Sequence, residues 1–166
     1  MTTEEEFQSP GEFAVEVLED VLELSGFAEV KVEVEEEDDR IRLGVAPADE
    51  DDAALMVGRQ GNTMAAYQFI VSRIVQREFE GRVRVSLDVA GYGQNRKTQL
   101  ESLGERLASA AYKNNLEMRI LGMNPADRRA VHMSLAERKK VKTWSESEGI
   151  ARRLVISGPA KKSDES

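Results

Sequence analysis

Two glycines three residues apart, Gly58 and Gly61, enclose Arg59 and Gln60 and separate a short apolar stretch, Leu55-Met56-Val57, from a patterned segment beginning near Asn62. Glycine populates φ > 0 and carries no Cβ, so the chain can reverse within these four residues. Asp49-Glu50-Asp51-Asp52 reads as the acidic first turn of a short helix that ends at the loop. After it, Tyr67, Ile70, Val71 and Ile74 mark one face of a helix running to about Phe79. Any fold must therefore place two helices about this turn. A plain junction satisfies the glycine spacing. So does a clamp in which main-chain N–H groups and the positive end of the following helix meet an anion.

The flanking elements narrow the choice. Ser9-Pro10-Gly11-Glu12 has a capping serine, proline at the first helical position and glutamate at the third. The helix it opens carries Phe13, Val17 and Val21 beside Ala14, Leu18 and Leu22, turns Glu12, Glu16, Glu19, Asp20 and Glu23 to water, and stops near Gly26. Val30, Val32 and Val34, then Ile41, Leu43 and Val45, alternate about the turn Glu36-Glu37-Asp38-Asp39 as an antiparallel hairpin, and Lys31, Glu33 and Glu35 can meet Arg40 and Arg42 across it. Val83, Val85, Leu87 and Val89 form a third strand. The order is helix, strand, strand, helix, glycine loop, helix, strand, which packs most economically as helices over one face of a three-stranded sheet. The loop then stands at an exposed edge, with a sheet edge beside it against which bases could lie.

Ala90-Gly91-Tyr92-Gly93 is a short junction to a second unit. A helix from about Gln94 to Asn114 points Leu100, Leu103, Leu107 and Ala111 inward, and a strand carries Leu116, Met118 and Ile120. Asn124 and Pro125 then start a helix reaching about Arg138. Two strands, roughly 140–146 and 151–157, enclose the turn Ser147-Glu148-Gly149. The expected boundaries are a disordered start at 1–9, a first domain over 10–90, a second over 91–158 and a disordered tail at 159–166.

Composition removes much chemistry. The chain has no cysteine and one histidine, so thiolate and multi-histidine metal sites are absent, and no cofactor or metal is expected. No apolar run approaches the roughly 20 residues of a membrane span, and the acidic start Met1-Thr2-Thr3-Glu4-Glu5-Glu6 is unlike a signal peptide. A cytoplasmic protein without membrane insertion is expected. The net charge of −8 conceals an asymmetry, because residues 1–56 hold 19 Asp/Glu against 3 Lys/Arg, net −16, and the rest of the chain is net +8. Charges more than about 8 Å apart are largely screened, so local patches outrank the total.

In the basic half, Arg128 and His132 are four residues apart and share a helix face beside the apolar Val131 and Leu135. Both can reach one phosphate or base; alternatively, His132 bonds a carbonyl at the domain surface. Arg96, Lys97, Arg129, Arg138, Lys139, Lys140, Lys142, Arg152 and Arg153 supply further cations. Trp144 is either a core filler or a stacking platform, and its shared parity with Lys140, Lys142 and Glu146 favours exposure. His132 with Asp127 could serve acid–base chemistry, but no nucleophile, metal cluster or phosphate-activating lysine loop accompanies them. Asp127 also suits the first turn of its helix, so no enzyme is expected.

The helix, hairpin and Leu55-Met56-Val57-Gly58-Arg59-Gln60-Gly61 resemble a type II KH domain. Arg128 and His132 match the pair that names the R-three-H domain. With Leu87-Asp88-Val89, Tyr92, Asn124-Pro125-Ala126-Asp127-Arg128-Arg129, Thr143, Ser145-Glu146-Ser147-Glu148-Gly149 and Arg152-Arg153-Leu154-Val155-Ile156, the ordered combination resembles the bacterial Jag family over nearly all of 10–158. Many members carry an additional N-terminal domain, which is not expected in this sequence. The resemblance implies an α+β fold, α-β-β-α-α-β followed by α-β-α-β-β, and binding of single-stranded RNA, with DNA also open. It further implies a role in cell elongation and division and a second small KH protein as partner. The expected nucleic-acid site is Gly58, Arg59, Gln60, Gly61 and Asn62 in the first domain, with Arg128, Arg129, His132, Lys140, Lys142 and Arg152 in the second. The rival reading is a protein-interaction adaptor that uses the acidic N-terminal face.

Overall fold

The computed structural model describes residues 9–81, 83–149 and 152–159. The chain divides into two compact units between Gly93 and Gln94.

The first unit opens with helix α1, Pro10–Leu24, whose N-cap Ser9 accepts a hydrogen bond from the Glu12 N–H at 3.2 Å. Strands β1, Lys31–Glu37, and β2, Arg40–Ala46, pair antiparallel around Asp38-Asp39. Glu35 faces Arg42 in the register, and their side chains pair at 3.7 Å. Helix α2, Glu50–Val57, is capped by Asp49 and leads through the glycine loop into α3, Asn62–Glu78. Strand β3, Arg84–Val89, then lies parallel to β2, giving the sheet order β1-β2-β3. A parallel pair needs a crossover, and here α2, the loop and α3 supply it. Ala14, Leu18 and Leu22 of α1, Ile41, Leu43 and Val45 of β2, Val71 and Val75 of α3, and Val85, Leu87 and Val89 of β3 form the core.

Helix α3 is rotated from the face its sequence suggests. Val71 and Val75 are fully buried, but Ile70 and Ile74 remain about 40% exposed and Phe69 more so. Three polar residues one turn apart account for the rotation. Gln68 Oε1 accepts from the Leu87 N–H at 3.0 Å, Ser72 Oγ donates to the Val85 carbonyl at 3.5 Å, and Gln76 Nε2 donates to the Val83 carbonyl at 3.2 Å. Pairing of edge-strand groups outweighs full burial of two isoleucines, because each buried polar group left unpaired costs about 1–3 kcal/mol.

The second unit takes α4, Tyr92–Asn114, from Gln94 onward, with β4, Glu117–Ile120, α5, Pro125–Ser134, β5, Lys142–Glu146, and β6, Arg153–Ser157. Its antiparallel sheet has the order β4-β6-β5, so β5 is an edge. The buried line of α4 keeps Leu100 and Ala111 from the expected row, but Gly104 and Ala108 take the places of Leu103 and Leu107. A Cβ on Gly104 would lie 3.0 Å from Val131 of α5, so small residues mark the close approach while Leu107 packs at its flank. Helix α5 ends at Ser134, short of the expected Arg138. The chain leaves the helix axis there and turns so that both Leu135 and Val141 reach the core.

The ends expected to be disordered lie mostly outside the described residues. Ser9 is an ordered cap, and Gly158, the last residue of the expected second domain, is buried and donates its N–H to the Leu116 carbonyl at 3.0 Å.

Candidate nucleic-acid interface

The glycine loop is built by its backbone. Gly58 ends α2 by donating its N–H to the Ala54 carbonyl at 2.9 Å, with φ 67° and ψ −176°, a conformation essentially confined to glycine. A Cβ here would overlap the Thr63 side chain. Arg59–Gly61 forms a single 3₁₀ turn, Gln60 takes φ 56°, and Gly61 takes φ 79° against the Tyr92 ring. The N–H groups of Gly61 and Asn62 donate to the carbonyls of Gly58 and Arg59.

This corrects the simplest form of the clamp. The N–H groups of Gly58, Gly61 and Asn62 hold the turn itself. The next residues, Thr63 and Met64, are half-buried in the first turn of α3. No side chain caps this helix start and no acidic residue occupies its first turn. Arg59 is exposed beside it and Gln60 half-buried. The sheet edge expected to hold bases is closed along 83–87, where Gln68, Ser72 and Gln76 occupy the outward-facing groups of β3.

The second unit builds its site from side chains. Asn124 caps α5 by accepting from the Asp127 N–H at 2.7 Å, and the buried Asp127 carboxylate takes a 2.7 Å hydrogen bond from Arg96 Nη2. Asp127 is thus committed to Arg96, and the acid–base pair with His132 does not form. Arg128 Nη1 donates to the Met123 carbonyl at 2.6 Å and reaches the Arg152 carbonyl at 3.5 Å, which orients the guanidinium. His132 Nδ1 and Thr143 Oγ1 are 2.6 Å apart, so a hydroxyl on β5 fixes the ring rather than a main-chain carbonyl.

Arg128, Arg129 and His132 of α5 meet Trp144 and Arg152 around an open cleft of about 400 Å³. Among the described residues, neither Asp nor Glu lines it. Trp144 is 37% exposed, as its strand parity suggests. Lys140 and Lys142 stand apart from this group and line a neighbouring depression with Tyr112. Sequence reasoning missed Tyr112, since nothing in the helical spacing of α4 places it beside Lys140.

The carboxylates of Glu117 and Glu146 on the neighbouring sheet are paired with arginines. Glu146 accepts from Arg119 Nε at 2.8 Å and Arg153 Nε at 2.7 Å. The hydrogen bond from Arg119 is the main cause holding the Glu146 carboxyl below the ordinary carboxylate range, and the same bond raises Arg119. The sheet therefore presents an internally balanced ion network on one side and unbalanced cations at the cleft. Such a cleft suits an anionic group next to an aromatic face.

The model of the R-three-H domain matches residues 98–157, which hold Arg128, His132 and the cleft. The second unit is an R-three-H domain. Across both units the chain is 30% identical over 145 residues to RNA-binding protein KhpB of Clostridium symbiosum, a match covering 87% of this chain and 64% of that protein. It is 31% identical over 108 residues to RNA-binding protein KhpB of Bacillus subtilis (strain 168), covering 63% of this chain and 51% of that protein. The chain is similar to these relatives in both of its units, and it spans between about half and two thirds of their length. Among the described residues no helix is long and apolar enough to cross a membrane.

Proposed function

We propose that this protein binds single-stranded RNA and acts as a post-transcriptional regulator. The observation that carries the reading is the cleft of the R-three-H domain, where Arg128, Arg129 and Arg152 surround His132 and Trp144 with no carboxylate among the described residues of the lining. Cations supply sequence-independent attraction to phosphates, and an exposed indole stacks on an unpaired base. The matched relatives are named as RNA-binding proteins, which supports RNA as the ligand.

The glycine loop is the second grip in this proposal. Arg59 and the uncapped start of α3 meet phosphate, with the helix dipole adding to the attraction. Gln60 contacts backbone or base. Two modest sites on one chain raise apparent affinity by roughly 10² to 10⁴ when one strand engages both. A role in cell elongation and division, and a second small KH protein as partner, belong to the same proposal and rest on the resemblance to the Jag family.

Titration of the full chain with a short single-stranded RNA at several salt concentrations tests it. The expected result is a log K that falls with log salt by about 0.7 for each phosphate neutralised. Arg59→Asp combined with Gln60→Asp weakens binding, and so does Arg129→Ala. A flat salt response, or affinity unchanged by both sets of variants, overturns the reading and favours an adaptor working through the acidic face of α1.

A further inference from the structure

The depression beside the arginine cleft has the same character as the cleft itself. It measures about 560 Å³ and is walled by Tyr112 of α4, Lys139, Lys140 and Lys142, with Trp144 and Ser157. Among the described residues no Asp or Glu lines it, although the chain has 31 of them in 166 residues. Lys140 Nζ stands 5.5 Å from the centre of the Tyr112 ring and 3.4 Å from its hydroxyl, so cation and aromatic are already assembled as a pair. Tyr112 is 41% exposed.

Trp144 belongs to both walls. It lines the arginine cleft on one side and the lysine depression on the other. Along the edge strand β5, Lys142 and Trp144 project on the same side about 7 Å apart. Cations therefore flank one partly exposed indole on both sides, with a second aromatic beyond.

We propose that the lysine depression is a second nucleotide subsite, continuous with the arginine cleft across Trp144, so that the R-three-H domain holds successive nucleotides of one single strand. A base stacks on Trp144 at the divide. The phosphate on one side meets Arg128, Arg129 or Arg152, and the phosphate on the other meets Lys139, Lys140 or Lys142, while Tyr112 offers a platform for the following base. The ligand class is unpaired RNA or DNA, because a duplex hides the base faces that Trp144 and Tyr112 require. The inference rests on the nucleic-acid reading of the arginine cleft, and its test separates the two.

Trp144 is the chain's single tryptophan, so fluorescence of the full chain reports on this divide without interference from the glycine loop. Di-, tetra- and octauridylate are titrated into the wild type, Tyr112→Ala, Lys140→Gln and Arg129→Ala, with circular dichroism confirming that each variant is folded. Quenching by the dinucleotide is expected to weaken in Arg129→Ala. The gain in affinity from dinucleotide to octanucleotide is expected to fall about tenfold in Tyr112→Ala and severalfold in Lys140→Gln. If the wild type is quenched by no oligonucleotide, the nucleic-acid reading of the cleft fails. If it is quenched, and the length dependence survives in both Tyr112→Ala and Lys140→Gln, the second subsite alone is overturned.

Discussion

The two units solve the same problem with different materials. The first unit makes its candidate site from main chain: three residues at positive φ, an uncapped helix start and one exposed arginine. The second uses arginine, histidine and tryptophan side chains delivered by α5, β5 and the residue just before β6. The units also treat their edge strands differently. β3 has its outward groups occupied by the Gln68, Ser72 and Gln76 ladder, whereas β5 presents Trp144 at the divide between two cationic hollows. A main-chain site depends on a few conformations and fails abruptly when one is lost. A side-chain site is distributed and fails in steps.

The sharpest way to break that contrast is Gly58→Ala. The new residue occupies a glycine-only conformation and drives its Cβ into Thr63. We expect a loss of about 3 kcal/mol in the first unit, from backbone strain plus overlap. Gly61→Ala costs less, about 1 kcal/mol, since its φ 79° and ψ 12° lie in the left-handed region that other residues visit, although the Tyr92 ring must shift. Urea unfolding monitored by amide exchange resolves the two units. Equal losses for the two variants would mean that the loop tolerates distortion and that its geometry is not the source of its behaviour.

In the second unit the comparable break is Asp127→Ala. The carboxylate is 5% exposed and holds Arg96 at 2.7 Å, so its removal leaves a partly buried guanidinium without that partner. A loss of about 2–3 kcal/mol follows, below the full range for a buried pair because Arg96 retains some contact with water. Tryptophan fluorescence during urea unfolding measures it. If nucleic-acid affinity at low urea drops as steeply as stability does, the second site is no more distributed than the first.

These contrasts explain what could be read in advance. The loop was legible because a conformational demand acts within four residues, and glycine is the residue that meets it. Arg128 and His132 were legible because helical spacing alone puts them on one face. The rotation of α3 was hidden. Gln68, Ser72 and Gln76 look like an ordinary solvated stripe, and their partners are main-chain groups of a strand, which no side-chain pattern advertises. The same holds for Gly104, whose burial follows from how closely Val131 approaches, and for Tyr112, whose neighbour Lys140 arrives from a turn created by the early end of α5.

Gln68→Ala tests the ladder at smaller scale. Removing the amide frees the Leu87 N–H at the edge of β3, with an expected cost of about 1 kcal/mol. The Leu87 amide should exchange faster with solvent than in the wild type while Val71 and Val75 keep their protection. An exposed edge also invites pairing with another chain, so a concentration-dependent increase in mass is expected. Unchanged exchange at Leu87 would show that the edge is closed by something other than this helix.

The smallest effect lies in the ion network of the second sheet. Glu146 sits below the ordinary carboxylate range in the folded state, chiefly through its hydrogen bond from Arg119, with Arg153 contributing as a second partner. A folded-state value below the unfolded one means that the contribution to stability is fully present above the ordinary range. It is lost as pH falls through the depressed value. The groups are exposed, so the contribution is small and weakens in salt. In Glu146→Gln the urea midpoint should lie slightly below the wild type near neutral pH, and the two curves should converge in acid. Parallel curves down to the lowest pH would show that the pairing orders the surface without stabilising it, in contrast to the buried Asp127 and Arg96 pair.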